Sequence, residues 1–205
     1  MRNLLAGNPV IPVITLNRVE DAVPLAQALI AGGLKVLEVT LRTEAAVEGI
    51  RQIVKHVPEA IVGTGTVCTE QQLKLSEDLG CQFTISPGAT EGLLKAAANA
   101  SIPFLPGIAT VSELMRGMEY GHRTFKFFPA EAAGGVPVLK SFAGPFADIS
   151  FCPTGGIGLH NVMDYLALPN VLCVGGSWIA QPKLIDDKNW AGIEQLARDA
   201  VELAG

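Results

Sequence analysis

The chain has 205 residues, of which 49% are hydrophobic and 17% charged, and its formal net charge is −5. The acidic balance, without a basic cluster, argues against nucleic-acid binding, and no apolar run approaches the ~18 residues that a membrane helix needs. The first apolar segment is too short for a signal peptide, so we expect a cytoplasmic protein. The length suits one domain, residues 1–205, with a substantial core.

Predicted strands and helices alternate along the whole chain. Short apolar strands are predicted over 9–16, 36–41, 60–66, 83–86, 104–105, around Lys126, 149–154 and 171–174. Amphipathic helices are predicted over 19–31, 44–57, 70–79, 91–100, 111–120, 136–142, 159–168 and 190–203. Several of these helices are followed by glycine, the residue most typical of a helix C-terminal stop.

This alternation has a period of about 25 residues and eight units, which predicts an α/β fold of the (β/α)8 TIM-barrel type near its minimum length. No linker or low-complexity segment interrupts it. An open doubly wound sheet is the alternative, but such a sheet would not usually need eight repeats of such even length. The high apolar content also suits strands buried on both faces and an apolar oligomer interface.

One predicted strand, at 124–129, carries Lys126 among three phenylalanines. A lysine is rarely buried, because removing an ammonium group from water is expensive. Either the strand lies at a sheet edge and the lysine tip reaches water, or burial favours the neutral amine and makes it a nucleophile for Schiff-base chemistry. The other lysines fall in predicted helices, in a polar loop or just before a strand.

Glu38 is the only acidic residue inside a predicted strand. Strand alternation places Glu38, Thr40 and Arg42 on one face, and in a barrel the polar face points to the axis. The same rule groups Val62, Thr64 and Thr66 in the third strand, Thr124, Lys126 and Phe128 in the sixth, and Ser150, Cys152 and Thr154 in the seventh. A lysine, a carboxylate and an arginine thus converge, with Arg42 and Thr66 at C-terminal strand ends, where barrel active sites lie. A structural ion pair is the alternative, but buried pairs are poor stabilisers, which favours catalysis.

Two glycine pairs, Gly155-Gly156 and Gly175-Gly176, close the last two predicted strands. Turn chemistry alone would explain one pair. Barrels often hold a phosphate in these two loops, where glycine lets backbone amides approach an anion, so two pairs favour a phosphate site.

The four cysteines show no CxxC spacing, and the three histidines form no HxH or HxxxH pair. Neither a disulfide framework nor a protein-built metal site is therefore expected. We expect no metal and no cofactor.

Together these stretches resemble the 2-keto-3-deoxy-6-phosphogluconate (KDPG) / 4-hydroxy-2-oxoglutarate (KHG) aldolase family, the class I aldolases of the Entner–Doudoroff pathway. The resemblance covers nearly the whole chain. Its marks are GLKVLEVTLR at 33–42, VGTGTV at 62–67, ISPG at 85–88, FKFFPAE at 125–131 and FCPTGG at 151–156.

The resemblance implies that Lys126 forms the Schiff base and that Glu38 shuttles protons. The other implied contacts are the substrate carboxylate for Arg42 and Thr66, the pyruvyl pocket for Pro87 and Phe128, the aldehyde for Thr154, and the phosphate for Gly155, Gly156 and Ser177. Ala133 and Gly158 differ from the family pattern, which has asparagine and serine there. A homotrimer that takes a small phosphorylated keto acid, without cofactor, is implied as well.

Two other functions fit parts of the pattern. A phosphate-binding barrel isomerase or synthase would use Lys126 electrostatically or as an acid–base group and would form no imine. A non-catalytic sugar-phosphate sensor could keep the glycines, but it would have no use for a buried Lys–Glu pair. Within the aldolase interpretation, the acceptor stays open between glyceraldehyde 3-phosphate, glyoxylate and the galactonate epimer.

Overall fold

A computed structural model describes residues 1–203; the predicted domain's last two positions, 204–205, lie outside the described residues. The strands are β1 Val10–Ile14, β2 Val36–Thr40, β3 Ile61–Gly65, β4 Phe83–Ile85, β5 Phe104–Leu105, β6 Gly107–Ile108, β7 Thr124–Phe127, β8 Ser150–Pro153 and β9 Val174–Gly176. The α-helices are α1 Arg2–Leu5, α2 Ala22–Ala31, α3 Ala45–His56, α4 Glu70–Asp78, α5 Glu91–Ala97, α6 Val111–Glu119, α7 Gly135–Phe142, α8 Val162–Leu166, α9 Pro182–Asp186 and α10 Trp190–Glu202. Within residues 1–203, no helix has the length and apolar character needed to cross a bilayer.

The strands are parallel and close into a ring of eight positions. One sheet has the order β5-β4-β3-β2-β1-β9 and the other β6-β7-β8. Only Pro106 separates β5 from β6, so the two fill one position. Two isolated bridges close the ring: Phe151 of β8 pairs with Val171, just before β9, and Thr154, just after β8, pairs with Gly175 of β9. This arrangement confirms the predicted (β/α)8 barrel.

Helix α1, which was not predicted, lies against the N-terminal end of the barrel. Leu5 is buried in a cluster with the inward residues Val36 and Phe83, and Arg2 donates a hydrogen bond to Ser150 of β8. Four residues are too few to show a helical period in the sequence. The N-terminal end of the axis is therefore filled and covered.

The last strand was predicted over 171–174, and these bounds were wrong: β9 runs over Val174–Gly176. Val174, Gly175 and Gly176 pair with the first three residues of β1. A Cβ on Gly175 would lie 2.2 Å from Oγ1 of Thr154, so only glycine fits between β8 and β1 at this position. The second glycine pair thus belongs to the barrel wall rather than to a loop. The polar loop predicted around Lys183 also contains a helix, α9.

The predicted inward face of β3 was wrong as well. Oγ1 of Thr64 is 2.6 Å from Oγ of Ser76 on α4, so Val62 and Thr64 face the helix layer. Gly63 and Gly65 take the axis-facing positions of β3. A Cβ on Gly63 would overlap the ring of Phe83 of β4, and a Cβ on Gly65 would overlap the side chain of Glu38 of β2.

Candidate active site

Lys126 of β7 and Glu38 of β2 meet inside the barrel. Nζ of Lys126 donates a hydrogen bond of 3.0 Å to Oε1 of Glu38, and each residue is 2% exposed. Strand β7 lies between β6 and β8, which excludes the edge-strand interpretation of Lys126. A buried ion pair stabilises a fold poorly, since the desolvation cost of both charges offsets their attraction. The geometry therefore favours a chemical role for this pair.

The pair has room because its neighbours are small on the axis side. A Cβ on Gly65 would lie 2.3 Å from Oε1 of Glu38, so any larger residue would push the carboxylate away. The ring centroid of Phe128 is 5.4 Å from Nζ of Lys126, within the range of a cation–π contact. Glycine inside a strand often marks a place where another group approaches the backbone closely. The glycines of the VGTG sequence could therefore have predicted the importance of Gly65, which the sequence analysis missed.

Arg42 and Thr66 form a second polar group at the C-terminal rim. Nε of Arg42 donates to Oγ1 of Thr66 over 2.8 Å. Thr66 has a φ of 60°, in the left-handed region that a β-branched residue rarely adopts. It directly follows Gly65, the residue that lies against the Glu38 carboxylate. Arg42 is exposed, and no hydrogen bond or ion pair within residues 1–203 uses its two terminal nitrogens. This rim can therefore receive a carboxylate through a charged, forked donor.

Pro87 lies against the strand beside Lys126. Gly107 of β6 pairs with Lys126, and a Cβ on Gly107 would be 2.3 Å from the carbonyl carbon of Pro87. Glycine at 107 thus allows the loop after β4 to approach the lysine. Pro87 and Phe128 are both half-buried, as residues that line an opening would be.

The loop after β8 presents backbone amides. Gly155 and Gly156 have φ values of 104° and 78°, which favour glycine. The carbonyl groups of Thr154 and Gly155 accept hydrogen bonds from the amides of Ala130 and Glu131, at 2.8 and 3.1 Å. Because C=O and N–H point in opposite directions across a trans peptide, the amides of Gly155 and Gly156 point away from that segment. In the described part of the chain the Gly156 amide has no acceptor, whereas the bridge between Thr154 and Gly175 turns the Gly155 amide toward the carbonyl group of Gly175.

Thr154 and Ser177 lie on either side of this loop. Thr154 is buried and its Oγ1 has no partner among the described residues; its strand neighbour across the bridge is Gly175. Ser177 is exposed and directly follows β9, so its hydroxyl group lies at the next strand end. The structure thus brings the three predicted phosphate residues, Gly155, Gly156 and Ser177, to neighbouring strand ends.

Two buried thiol groups lie on the inward faces of β8 and of the segment before β9. Strand alternation predicted the inward position of Cys152, but no sequence pattern assigned a role to either cysteine. Cys152 pairs in register with Lys126, and Cys173 is fully buried in the same axial cluster. A hydrogen bond with Cys152 and then burial raise the pKa of Cys173 well above its ordinary value, so it stays protonated. Within residues 1–203 no group of three or more His, Cys, Asp or Glu residues could hold a metal ion.

Comparison with known proteins gives one consistent result. The family model described as KDPG and KHG aldolase matches residues 1–196. The 2-dehydro-3-deoxy-phosphogluconate aldolase of Dickeya dadantii is 60% identical, over 97% of this chain and 93% of the relative. The KHG/KDPG aldolase of Escherichia coli K12 is 58% identical, over 98% and 94%.

A solved structure extends the similarity to three dimensions. The crystal structure of KDPG aldolase from Legionella pneumophila has pyruvate captured at low pH as a covalent carbinolamine intermediate. It superposes with a TM-score of 0.96 at 49% identity and covers 97% of both chains.

Proposed function

The chain belongs to the KDPG and KHG aldolase family, and from that premise we propose that Lys126 and Glu38 are its catalytic residues. The protein is a class I aldolase, a carbon–carbon lyase that cleaves KDPG to pyruvate and glyceraldehyde 3-phosphate through a Schiff base. The observation that carries the assignment is the buried hydrogen bond of 3.0 Å between Nζ of Lys126 and Oε1 of Glu38.

The amine must be neutral to attack, and Glu38 is the adjacent acceptor for its proton. Nζ of Lys126 then adds to the C2 ketone and forms a carbinolamine. Glu38 returns the proton to the departing hydroxyl group, which leaves as water. The product is an iminium, a stronger electron sink than the ketone.

Glu38, again a carboxylate, now accepts the proton of the C4 hydroxyl group, through a water. The C3–C4 bond breaks, its electron pair enters the iminium system, and the aldehyde leaves. Glu38 protonates C3 of the resulting enamine. Water then hydrolyses the iminium, which releases pyruvate and restores the Lys126 amine.

The remaining predicted residues take binding roles in this proposal. Arg42 and Thr66 hold the substrate carboxylate, which their hydrogen bond at the rim supports. The aldehyde contacts Thr154, whose buried hydroxyl group has no partner among the described residues. Pro87 and Phe128 wall the pyruvyl pocket, and Gly155, Gly156 and Ser177 bind the phosphate.

Cleavage of KDPG by the wild-type protein and by Lys126→Arg tests the assignment of the lysine. Arginine keeps a positive charge at this position but cannot form an imine. We expect the variant to remain folded, as judged by circular dichroism, and to lose turnover. Wild-type turnover in a folded Lys126→Arg protein would remove Lys126 from the mechanism.

KHG is a second candidate substrate, because the E. coli relative is named for both activities. The molecule retains the C2 ketone, the carboxylate and the C4 hydroxyl group but has no phosphate. Its cleavage would use Lys126, Glu38 and Arg42 without the loop at Gly155. We propose that it is cleaved at the same site to pyruvate and glyoxylate.

The finer biological setting is also part of the proposal: one domain, a cytoplasmic homotrimer, and a place in the Entner–Doudoroff pathway. Apolar side chains that are large and exposed support self-association; they include Met115, Leu159 and Met163, at 54%, 62% and 51% exposed. Sedimentation equilibrium tests the trimer, and a monomer at micromolar concentration would contradict it.

A further inference from the structure

The loop after β8 is held by the side chain of Asn161. Nδ2 of Asn161 donates to the carbonyl group of Gly156 over 3.2 Å, and Oδ1 accepts from the amide of Gly158 over 2.9 Å. The backbone amide of Asn161 also donates to the carbonyl group of Gly158. One side chain thus fixes both ends of the Gly156–Gly158 turn.

Asn161 makes these contacts instead of capping the helix that follows it. It is the N-cap residue of α8, where an asparagine oxygen usually accepts a hydrogen bond from the second or third amide of the helix. Within the described residues, the Asn161 side chain accepts no such bond from α8. By contrast, Asn189, the N-cap of α10, accepts from the amide of Gly192 in the usual way. The side-chain amide group of Asn161 is directed to the loop after β8 instead.

The hydrogen bond to Gly156 determines where the next amide points. The carbonyl groups of Thr154, Gly155 and Gly156 all accept from the protein. Across a trans peptide the following N–H groups point the opposite way, so the Gly156 amide points away from the Glu131 backbone and the Ile157 amide points away from the Asn161 side chain. Neither of these two amides has an acceptor within residues 1–203. Asn161 is the residue that sets the direction of the Ile157 amide.

The aliphatic part of the Glu131 side chain packs against the loop after β8. A Cβ on Gly156 would lie 2.7 Å from Cγ of Glu131, so the glycine rests directly on this side chain. Tyr165 of α8 donates its hydroxyl group to Oε1 of Glu131 and keeps the side chain in place. The loop therefore has little freedom to reorient its amides without breaking these contacts.

We propose that Asn161 is a positioning residue that orients the Ile157 amide as a further hydrogen-bond donor to the substrate phosphate. The inference rests on the proposed phosphate role of Gly155 and Gly156. Within residues 1–203 the Asn161 side chain makes no hydrogen bond to Lys126 or Glu38, and its hydrogen bonds go to the loop. Its effect should be confined to ligands that carry a phosphate.

The test compares steady-state kinetics on KDPG and KHG for the wild type, Asn161→Ala and Asn161→Ser, with inorganic phosphate as a competitive inhibitor. We expect KM for KDPG to rise about tenfold in both variants, the size expected for losing one hydrogen bond to a charged group. The inhibition constant for phosphate should rise in parallel, and kcat/KM for KHG should change less than twofold.

The serine variant separates positioning from helix stability, because serine is as good an N-cap as asparagine but is too short to reach both loop partners. Recovery of wild-type KM for KDPG in Asn161→Ser would overturn the inference, as would equal losses on both substrates. Asn189→Ala is the matched control: it removes a true cap and should leave KM for KDPG unchanged.

Wild-type inhibition distinguishes failure of the inference from failure of the site. If phosphate inhibits the wild type and the Asn161 variants equally, the positioning role is wrong while the phosphate site stands. If phosphate does not inhibit the wild type at all, the glycine loop is not the phosphate site, and the inference fails with it.

Discussion

The two ends of the barrel axis are built from the same strands but differ in what fills them. At the N-terminal end, Val36 and Phe83 pack against Leu5 of α1 in a closed apolar cluster. Toward the C-terminal end the inward residues are Glu38 and Lys126. Phe83 fills the space beside Gly63, whereas the Glu38 carboxylate occupies the space beside Gly65.

This difference shows how a barrel separates stability from chemistry. Apolar burial at the closed end stabilises the fold, by roughly 25 cal/mol for each Å² removed from water. At the other end a buried ion pair offers little net stabilisation, but in the proposed mechanism it supplies the nucleophile and the proton carrier. Substitutions at the two ends should therefore affect different measurements.

After the loss of turnover expected for Lys126→Arg, the largest expected effect is on catalysis, from Glu38→Gln. The amide cannot carry protons, so kcat for KDPG should fall by about 10²–10⁴-fold, the usual contribution of general acid–base catalysis. The matched control is Asp21→Asn, since Asp21 is also a buried carboxylate but pairs with Arg18 away from the axis. It should lower stability and leave kcat unchanged. A kcat for Glu38→Gln within threefold of the wild type would contradict the proton-carrier role.

At the closed end, Leu5→Ala should reduce the free energy of unfolding by about 2–5 kcal/mol, the cost of a large-to-small change in a core. Urea unfolding measures it. Leu4→Ala on the same helix should cost less, because Leu4 is only partly buried. Both variants should keep the wild-type kcat while folded. A lower kcat in folded Leu5→Ala would show that the closed end contributes to the chemistry.

A smaller effect is expected from Gly65→Ala, which disturbs the catalytic end without removing a functional group. The new methyl group would lie 2.3 Å from Oε1 of Glu38 and must displace it. A displacement near 1 Å at such a site costs about 10²-fold, measurable in kcat/KM for KDPG. Gly144→Ala is the control, because a Cβ there would lie within 4 Å of nothing in residues 1–203. Equal activities in both variants would mean that the carboxylate position does not matter.

Sequence patterns were sufficient where one local rule decides the outcome. The strand–helix period predicted the barrel, and side-chain alternation placed Glu38 and Lys126 on inward faces that do meet. In β3, alternation correctly grouped Val62 with Thr64, but taking the polar face as the inward one wrongly put Thr64 on the axis. Which face of β3 points inward depends on the contact between Gly65 and the Glu38 side chain of β2. Such a contact joins two strands, so the pattern of one segment does not contain it.

The ends of elements failed for a similar reason. Strand β9 begins at Val174 because its register is set by pairing with β1, far away in the chain. Helix α1 is too short to show a periodic pattern. It is stabilised by the burial of Leu5 against the barrel, a contact with residues far along the chain. The role of Asn161 was equally invisible, since its partners depend on how the loop after β8 folds back.

Borohydride trapping with pyruvate tests the central claim most directly. The protein is incubated with pyruvate and sodium borohydride, digested and analysed by mass spectrometry, with Lys126→Arg as the matched control. We predict a reduced pyruvyl adduct on Lys126 in the wild type and none at that position in the variant. An adduct on another lysine, or none on folded wild-type protein, would contradict the assignment of Lys126 as the Schiff-base residue.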